Sequence, residues 1–472
     1  MLLEGRWVDR EARTEILDPE SGATVDTVPR ADAADAERAL AHAEKAAETA
    51  RRWPIHERMR VLSGAARLLD ERRETFAERI AREGIKTIRE ARREAARCAD
   101  TLRLGAEEAR RLHGETVPFD QAPGSERRVG AWRPEPVGIV VAITPYNDPL
   151  NLVAHKLAPA LAAGNAVILK PDSRTPLSAL ALVEALLEAG LPEEIVQVLT
   201  GPGSEVGAAL VRDPRPRTVS FTGGKVTGER IAREAGLKKL SMELGSNAPA
   251  IVLPDADLDA AVAACVAGAY AAAGQNCLHV QRLLLHRDIA DAFTEAFVAG
   301  ARGVSTGPKL DEATDMGPMI DEQAALRVES MVQDAQAAGA TVLTGGGRSG
   351  TVLAPTVVAG VPLGHPLDVD EVYGPVTVVR TFEDSSEAVA RANAVDFGLQ
   401  AGLFTRDLDA AFHIADGLRY GGVVVNDSSD YRIDAMPFGG VKGSGLGREG
   451  VRYAMEAMTE PKLVCFALSS RS

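Results

Sequence analysis

VGIVVAITPYNDPLNLVAHKLAPALAAGNAVILK, residues 137–170, holds two short apolar runs rich in Val and Ile with a Leu- and Ala-rich stretch of helical length between them. The runs GIVVAIT and NAVILK are too short for helices and are apolar throughout, as strands covered on both faces must be. The alternation continues downstream: LSALALVEALLEAG reads as a helix, IVQVLT as a strand, and after a further helix TVSFTG as another strand. Strands joined by helices lie parallel, so the region predicts a parallel sheet wound on both faces. A second alternation begins near Ala248 with AIVLP, the helix ADLDAAVAACVAGAYAAAG, QRLLLH and another helix, and predicts a second α/β domain. Upstream, Asp32 to His113 reads as long amphipathic helices, VLSGAARLLDERRETFAERIAREG among them, with apolar residues recurring three and four apart. Between these helices and the first sheet, GETVPFDQAPGSERRVGAWRPEPVG is rich in turn formers and is expected to be an extended arm. After Glu460, PKLVCFAL reads as an edge strand, and unpaired edges invite association, so arm and tail are expected to join copies of the chain.

The chain has 472 residues, more than one core usually holds, and two or three domains are expected. Its hydrophobic share of 45% and charged share of 25% are those of a globular protein. With 53 Lys and Arg against 67 Asp and Glu, the net charge is -14, and the global field repels nucleic acid and anionic membranes. An anionic ligand must therefore be held by local positive groups. The four cysteines, Cys98, Cys265, Cys277 and Cys465, lie far apart without C-x-x-C or metal-ligand spacing, so neither a metal site nor a disulfide framework is expected. The N-terminus lacks a signal-like apolar run and no long uncharged apolar stretch occurs, so a cytoplasmic location is expected.

Cys277, in AAAGQNCLHVQR, follows small residues that leave room for another molecule to reach its thiol, although a lone cysteine is most often an inert buried side chain. Asn147 follows a strand and precedes a helix; its amide could stabilise an oxyanion or simply cap that helix. Glu243, in KLSMELGSNAPAIV, ends an apolar strand, where a carboxylate beside a dry pocket could act as a general base or remain a solvated charge. Gly223 and Gly224 close TVSFTGG just before a helix, a place suited to pyrophosphate or to an ordinary turn. GPGSEVG, with Gly203 and Gly207, is a weak dinucleotide fingerprint.

PYNDP with KPDSRTP, FTGG, MELGSNAP, GQNC, EVYGP and PFGGVKGSGLGREG occur in the order and at roughly the spacing found in the aldehyde dehydrogenase superfamily, which the chain resembles over nearly its full length. The resemblance implies an α/β fold of two doubly wound parallel-sheet domains with a β-rich oligomerisation arm. Residues 1–117 and 135–246 would bind the dinucleotide, 247–425 would form the catalytic domain, and 118–134 with 426–472 the arm and tail. It implies an NAD- or NADP-dependent enzyme, a homodimer or homotetramer, in which Cys277 forms a thioester, Asn147 holds the oxyanion and Glu243 activates water.

For the cofactor, the resemblance implies Thr144, Pro145 and Tyr146 after the first strand, then Lys170, Asp172 and Ser173 after the next. Phe221 and Thr222 join Gly223 and Gly224, Leu244 and Gly245 follow the base, and Glu371 with Tyr373 comes from the second domain. At Ser173 many NAD-preferring members have a glutamate that grips the ribose, so strict NAD preference is not expected and both cofactors should bind. For the substrate, Arg97, His155, Asn276, Arg432 and Phe438 match positions lining the aldehyde tunnel or its neighbourhood. Asn147, Asn151 and His155 fall at i, i+4 and i+8 and would share one helical face, whereas Arg97 and Arg103 could equally be solvated. NDPLNLVAHK and NDSSDYRIDAMPFGG look most like the phosphonoacetaldehyde, phosphonoformaldehyde and lactaldehyde dehydrogenase subgroup. A small anionic aldehyde is therefore expected, a phosphonoaldehyde first, with lactaldehyde, succinate semialdehyde or glyceraldehyde 3-phosphate as alternatives. A coenzyme A-acylating enzyme or an inactive homologue ranks lower, since Glu243 suits hydrolysis.

Overall fold

The computed structural model describes residues 1–469, so residues 470–472 of the expected tail lie outside the described residues. The first sheet has eight strands, in the order Arg6–Trp7, Leu2–Leu3, Val196–Val198, Ala166–Lys170, Ile139–Ile143, Thr218–Thr222, Lys239–Glu243 and Gly445–Leu446. Its central strands run parallel, and the short ones at either margin are antiparallel. The central runs are apolar throughout because helices cover both faces. From Ile139–Ile143 the chain first winds outward through Ala166–Lys170 and Val196–Val198, then returns to pair Thr218–Thr222 on the other side. That reversal opens a crevice at the carboxyl ends of the strands.

The second sheet has seven strands, in the order Thr341–Thr344, Thr356–Ala359, Val376–Phe382, Val280–His286, Ala248–Val252, Gln400–Phe404 and Gly422–Val425. All pair in parallel except the first. Two doubly wound sheets are thus present, as the alternation in the sequence predicts.

The helix Asn151–Ala163 is buried along its whole length, between helices Ile88–Ala109 and Val451–Ala457. It begins after Leu150, so Asn147 neither caps it nor shares its face with His155; residues 146–150 form bends and a turn in front of it. The helices Ala33–Arg52 and Ile88–Ala109 start with reciprocal capping boxes, Asp32 with Asp35 and Thr87 with Glu90.

Thr459–Ala467 pairs antiparallel with Arg128–Pro136 over nine register positions, and Glu115–Thr116 flanks the latter. The tail strand is therefore an edge, with Leu463, Val464 and Phe466 exposed along it. The rest of 426–472 is not tail. Gly445–Leu446 closes the first sheet beside Glu243, and Val451–Ala457 packs on the buried helix. Among the described residues, no helix is long and apolar enough to cross a membrane.

Candidate active site

A cavity of about 680 Å³ lies at the carboxyl ends of the first sheet's strands and reaches the turn that carries Cys277. A second concavity of about 800 Å³, between helix Arg287–Gly303 and the outer strands of the second sheet, carries none of the candidate residues.

The chain leaves Ile143 with Thr144 N–H on the Lys170 carbonyl (3.2 Å), and passes through Pro145, Tyr146 and Asn147 along the cavity wall. Glu94 fixes the end of this loop by accepting the N–H groups of Leu150 (2.8 Å) and Asn151 (3.0 Å). The Asn147 side-chain oxygen has no partner.

Cys277 follows the turn Ala271–Gly274, in which Ala272, Ala273 and Gly274 all have left-handed backbone angles. Glu90 holds the turn from one side by accepting Ala272 N–H (2.7 Å). Gln275 holds it from the other, donating to the carbonyls of Ala272 (3.2 Å) and Pro318 (3.1 Å) and accepting from Ile320 N–H (3.0 Å). Asn276 lines the cavity beside the cysteine, and its side-chain Oδ1 accepts Leu278 N–H (2.7 Å). Burial pushes the Cys277 thiol up to about 12, with Arg432 pulling down and Glu243 adding to the rise.

Glu243 ends the strand Lys239–Glu243, is buried, and neither of its oxygens has a hydrogen-bond partner. Burial first, and then the neighbouring Glu449 carboxylate, hold its acid well above the usual carboxylate range. Glu449 goes the other way: burial raises it, but Lys156, His155 and Arg432 bring it down to about 2. Two environments have thus separated two neighbouring carboxyls, one with its proton affinity raised and one held as an anion. Lys156 Nζ anchors this arrangement, donating to Thr222 Oγ1 (2.8 Å), Glu449 (3.0 Å) and Ser220 Oγ (3.2 Å). Sequence reasoning passed over Lys156 and Glu449; a lysine inside the apolar NLVAHKLAPALAA was the signal for the first, and the glutamate in GLGREG carried none by itself.

A dinucleotide fits the other part of the cavity. Lys170, Gly203, Phe221, Thr222, Gly223 and Gly224 line it at the strand ends, and Gly224 starts the helix Lys225–Glu234 with open space around its Cα. Lys170 Nζ is buried and donates to the Pro171 carbonyl (2.8 Å), leaving further N–H bonds for incoming hydroxyls, and Thr144 Oγ1 is unpartnered. Gly245 lies close against Glu371: a Cβ there would stand 2.4 Å from Oε2 and push the carboxylate aside. Glu371 accepts Ser246 N–H (2.8 Å), and burial pushes its acid up to about 7. Tyr373 and Leu244 complete this wall, and Tyr146 meets Tyr373 edge to face at 6.0 Å. Asp172 lines the mouth, gripped by Arg174 (3.0 and 3.1 Å), whose guanidinium stacks 4.3 Å over Tyr146. Ser173 turns away from the cavity, donating to the Gly201 carbonyl (2.9 Å), and Gly207, which ends the turn Gly203–Gly207, does not line the cavity.

The expected substrate residues separate. Arg97 lines the cavity with its guanidinium on Asp434 (2.7 and 3.2 Å). Arg432 also lines it, 3.8 Å over the Phe438 ring and 3.2 Å from Glu449, with Nε unpartnered. His155 stands behind the wall: it is buried, with Nε2 on Asp434 (2.8 Å), because the helix that carries it begins after Asn147 and not at it. Burial and then Arg432 hold the His155 pKa down, while Asp434, despite burial, is kept ionised by its hydrogen bonds to His155 and Arg97. Arg103 pairs with Asp70 and Asp100 on the surface, away from the cavity.

The whole span 7–464 matches the family model described as "Aldehyde dehydrogenase family". The chain belongs to the aldehyde dehydrogenase family. It is 51% identical to an aspartate-semialdehyde dehydrogenase of Pseudomonas canavaninivorans, over 96% of this chain and 97% of that one. It is 43% identical to a 3-sulfolactaldehyde dehydrogenase of Priestia aryabhattai, over 99% and 98% of the two chains. The crystal structure of an NADP-dependent glyceraldehyde-3-phosphate dehydrogenase from Bacillus halodurans, complexed with NADP, superposes with a TM-score of 0.96 at 38% identity, covering 99% of each chain. This chain is accordingly an NAD(P)-dependent aldehyde dehydrogenase. Among its described residues, no cluster of His, Cys, Asp and Glu could hold a metal ion.

Proposed function

We propose that this aldehyde dehydrogenase oxidises a short aldehyde with an anionic group at its far end to the carboxylic acid, through a thioester on Cys277. The observation that carries this reading is the pair of guanidinium groups, Arg97 and Arg432, on the wall of the cavity that also holds Cys277, each with N–H bonds to spare in an otherwise acidic protein. The relatives support the class: a carboxylate, a sulfonate and a phosphate stand on the aldehydes named for the three proteins above. A phosphonoaldehyde, expected first from the sequence, belongs to the same class but has no observation favouring it over a carboxylate.

Cys277 gives up its proton to solvent as its sulfur bonds to the aldehyde carbon. The Asn147 amide and the backbone N–H of Cys277 hold the resulting alkoxide; one such donor is typically worth about 3–4 kcal/mol. A nicotinamide held there would supply the hydride acceptor that lets the adduct's carbonyl reform as the thioester. Lys170 and Glu371 would hold the ribose hydroxyls and Gly223 and Gly224 the pyrophosphate. Glu243 then draws a proton from water, hydroxide adds to the thioester carbon, and the thiol leaves with a proton. Aldehyde, water and oxidised cofactor thus give acid, reduced cofactor and protons. Glu449, fixed as an anion on Lys156, raises the affinity of Glu243 for that proton.

The test is a panel of aldehydes matched in length, butanal against succinate semialdehyde and propanal against phosphonoacetaldehyde, each assayed with NAD and NADP. Anionic members should be oxidised with kcat/KM at least about 10-fold above their neutral partners, and Arg97→Ala should raise KM for the anionic ones selectively. Equal effects of Arg97→Ala on charged and neutral aldehydes would remove the reading.

A further inference from the structure

Nearly every carboxylate on the wall of the active cavity is spoken for. Glu90 accepts backbone N–H groups, Glu94 and Asp148 share Lys86, Asp172 has Arg174, Glu371 has Ser246 N–H, and Glu449 has Lys156 and Arg432. Among the described residues of this wall, two form no hydrogen bond or ion pair through their carboxyl groups: Glu243, whose oxygens are buried, and Asp430, whose half-buried carboxylate opens on the cavity. Glu243 must be free to take a proton from water, so its isolation has a reason in the reaction. Asp430 has none there.

Its position is nonetheless fixed with care. The peptides on both sides of it are clamped by Gln400, whose amide donates to the carbonyls of Ser429 (2.8 Å) and Tyr431 (2.6 Å). Ser429 Oγ donates to the Leu278 carbonyl (2.7 Å), which ties the same loop to the residue after the candidate nucleophile. The backbone N–H of Asp430 is held by Ser428 Oγ (3.3 Å). A carboxylate oriented this firmly into a cavity, with no cation or donor of its own, carries an unmet demand for positive charge. Burial accordingly pushes its acid up to about 7; Arg97 and Lys86 pull it down and Glu90 and Asp427 push it up, without a contact that settles the charge.

We propose that Asp430 receives an ammonium group of the substrate, so that the preferred aldehyde is the ω-semialdehyde of a short α-amino acid, with its carboxylate at Arg97 and Arg432 and its amine at Asp430. This rests on the reading that the cavity oxidises anionic aldehydes, and narrows it from an anion to a zwitterion. A negative and two positive side chains on one wall then match the opposite charges of one substrate, and the lone carboxylate would repel a simple dianion such as a phosphonate.

The deciding comparison uses L-aspartate 4-semialdehyde and succinate semialdehyde, which differ only in the amine, with butanal as the uncharged reference, on the full-length enzyme with NADP. The expected result is a kcat/KM at least about 10-fold higher with the amine than without it. Asp430→Asn should lower the value for the amino aldehyde by about 30-fold or more and that for succinate semialdehyde by much less, so that the preference disappears. A wild-type enzyme that prefers succinate semialdehyde over butanal but gains nothing from the amine overturns this proposal alone. Butanal oxidised as well as both acids overturns the anionic-aldehyde reading, and this proposal with it. An Asp430→Asn enzyme that loses both acids equally assigns Asp430 to structure and also overturns it. Should that variant not fold, competitive inhibition of the wild type by L-aspartate and succinate decides: aspartate must bind about 10-fold tighter, and equal inhibition overturns the proposal.

Discussion

With the Cys277 thiol held near 12 by burial, only on the order of one molecule in 10⁵ carries a thiolate at pH 7 in the resting chain. Arg432 is the cation that opposes this rise, and Glu243, Glu371 and Glu449 all add to it. The sign fixes a measurement. Burial disfavours the charged form, so ionisation grows with each rise in pH below 12, and the rate of alkylation by iodoacetamide in the absence of cofactor should climb about tenfold per pH unit from 6.5 to 9.5. A plateau reached by pH 8 would show a thiol of ordinary acidity and contradict the burial argument. The same residue scale shows what could be read in advance. Cys277, Asn147 and Glu243 line one cavity, and what singled them out in advance was the family resemblance of the strings around them, since each alone also reads as an inert thiol, a cap or a solvated charge. Glu449, Lys156 and Asp430 were not legible, since a lone charge in a sequence reads as a solvated side chain until tertiary packing brings it against others. His155 failed for a related reason: its spacing from Asn147 is helical, but the helix starts between them.

At the scale of elements, the turn Ala271–Gly274 shows how a backbone positions a thiol. Ala272 and Ala273 sit at φ of 50° and 54°, where a residue with a Cβ is disfavoured by roughly 1–2 kcal/mol. Such a conformation persists only where its surroundings over-determine it, here through Glu90 on one side and Gln275 on the other. Gly274, at φ 67°, has no latitude at all: a Cβ would lie 2.2 Å from the carbonyl oxygen of Gly374, in the EVYGP loop that also carries Glu371 and Tyr373. Gly274→Ala must therefore displace either the cysteine turn or that loop. Displacing reacting groups by about 1 Å can lower a rate by 10², so kcat should fall at least 100-fold, with a lower Tm by calorimetry. A variant with unchanged kcat and Tm would show that the approach is looser than the structure has it. The larger elements were legible because strand and helix periods alternate cleanly from 137 onward. The pair Gly445–Leu446 was not, since two residues in a glycine-rich run have no period to read, and their place beside Glu243 is decided only by pairing with the neighbouring strand.

For the whole molecule, one cavity is walled by both α/β units, with Lys170 and Gly224 from the first sheet's strand ends and Glu371 and Tyr373 from the second unit. A dinucleotide held there touches both, so the choice between NAD and NADP depends on the charge the first unit presents where the adenosine ribose would lie. Among the described residues, the only carboxylate lining the mouth beside Lys170 is Asp172, and Arg174 already neutralises it from 3.0 Å. Ser173 brings no charge and is occupied with the Gly201 carbonyl. A 2′-phosphate is thus not opposed by a free anion, and NADP should be used at least as well as NAD. Introducing the missing charge reverses the balance. Two like charges about 4 Å apart repel by roughly 4 kcal/mol at an effective dielectric of 20, and solvent at the exposed mouth reduces that to about 1–3 kcal/mol, or roughly 10- to 100-fold. A glutamate at 173 cannot keep the serine's bond to the Gly201 carbonyl, so its carboxylate should swing out beside Lys170, and Ser173→Glu should lower kcat/KM for NADP by that factor while leaving NAD turnover within a few-fold. The ratio of the two, measured with a single aldehyde at fixed ionic strength, is the readout, and raising the salt concentration should narrow the gap. A variant that loses both cofactors equally would mean that the Gly201 hydrogen bond, and not charge, is what Ser173 contributes.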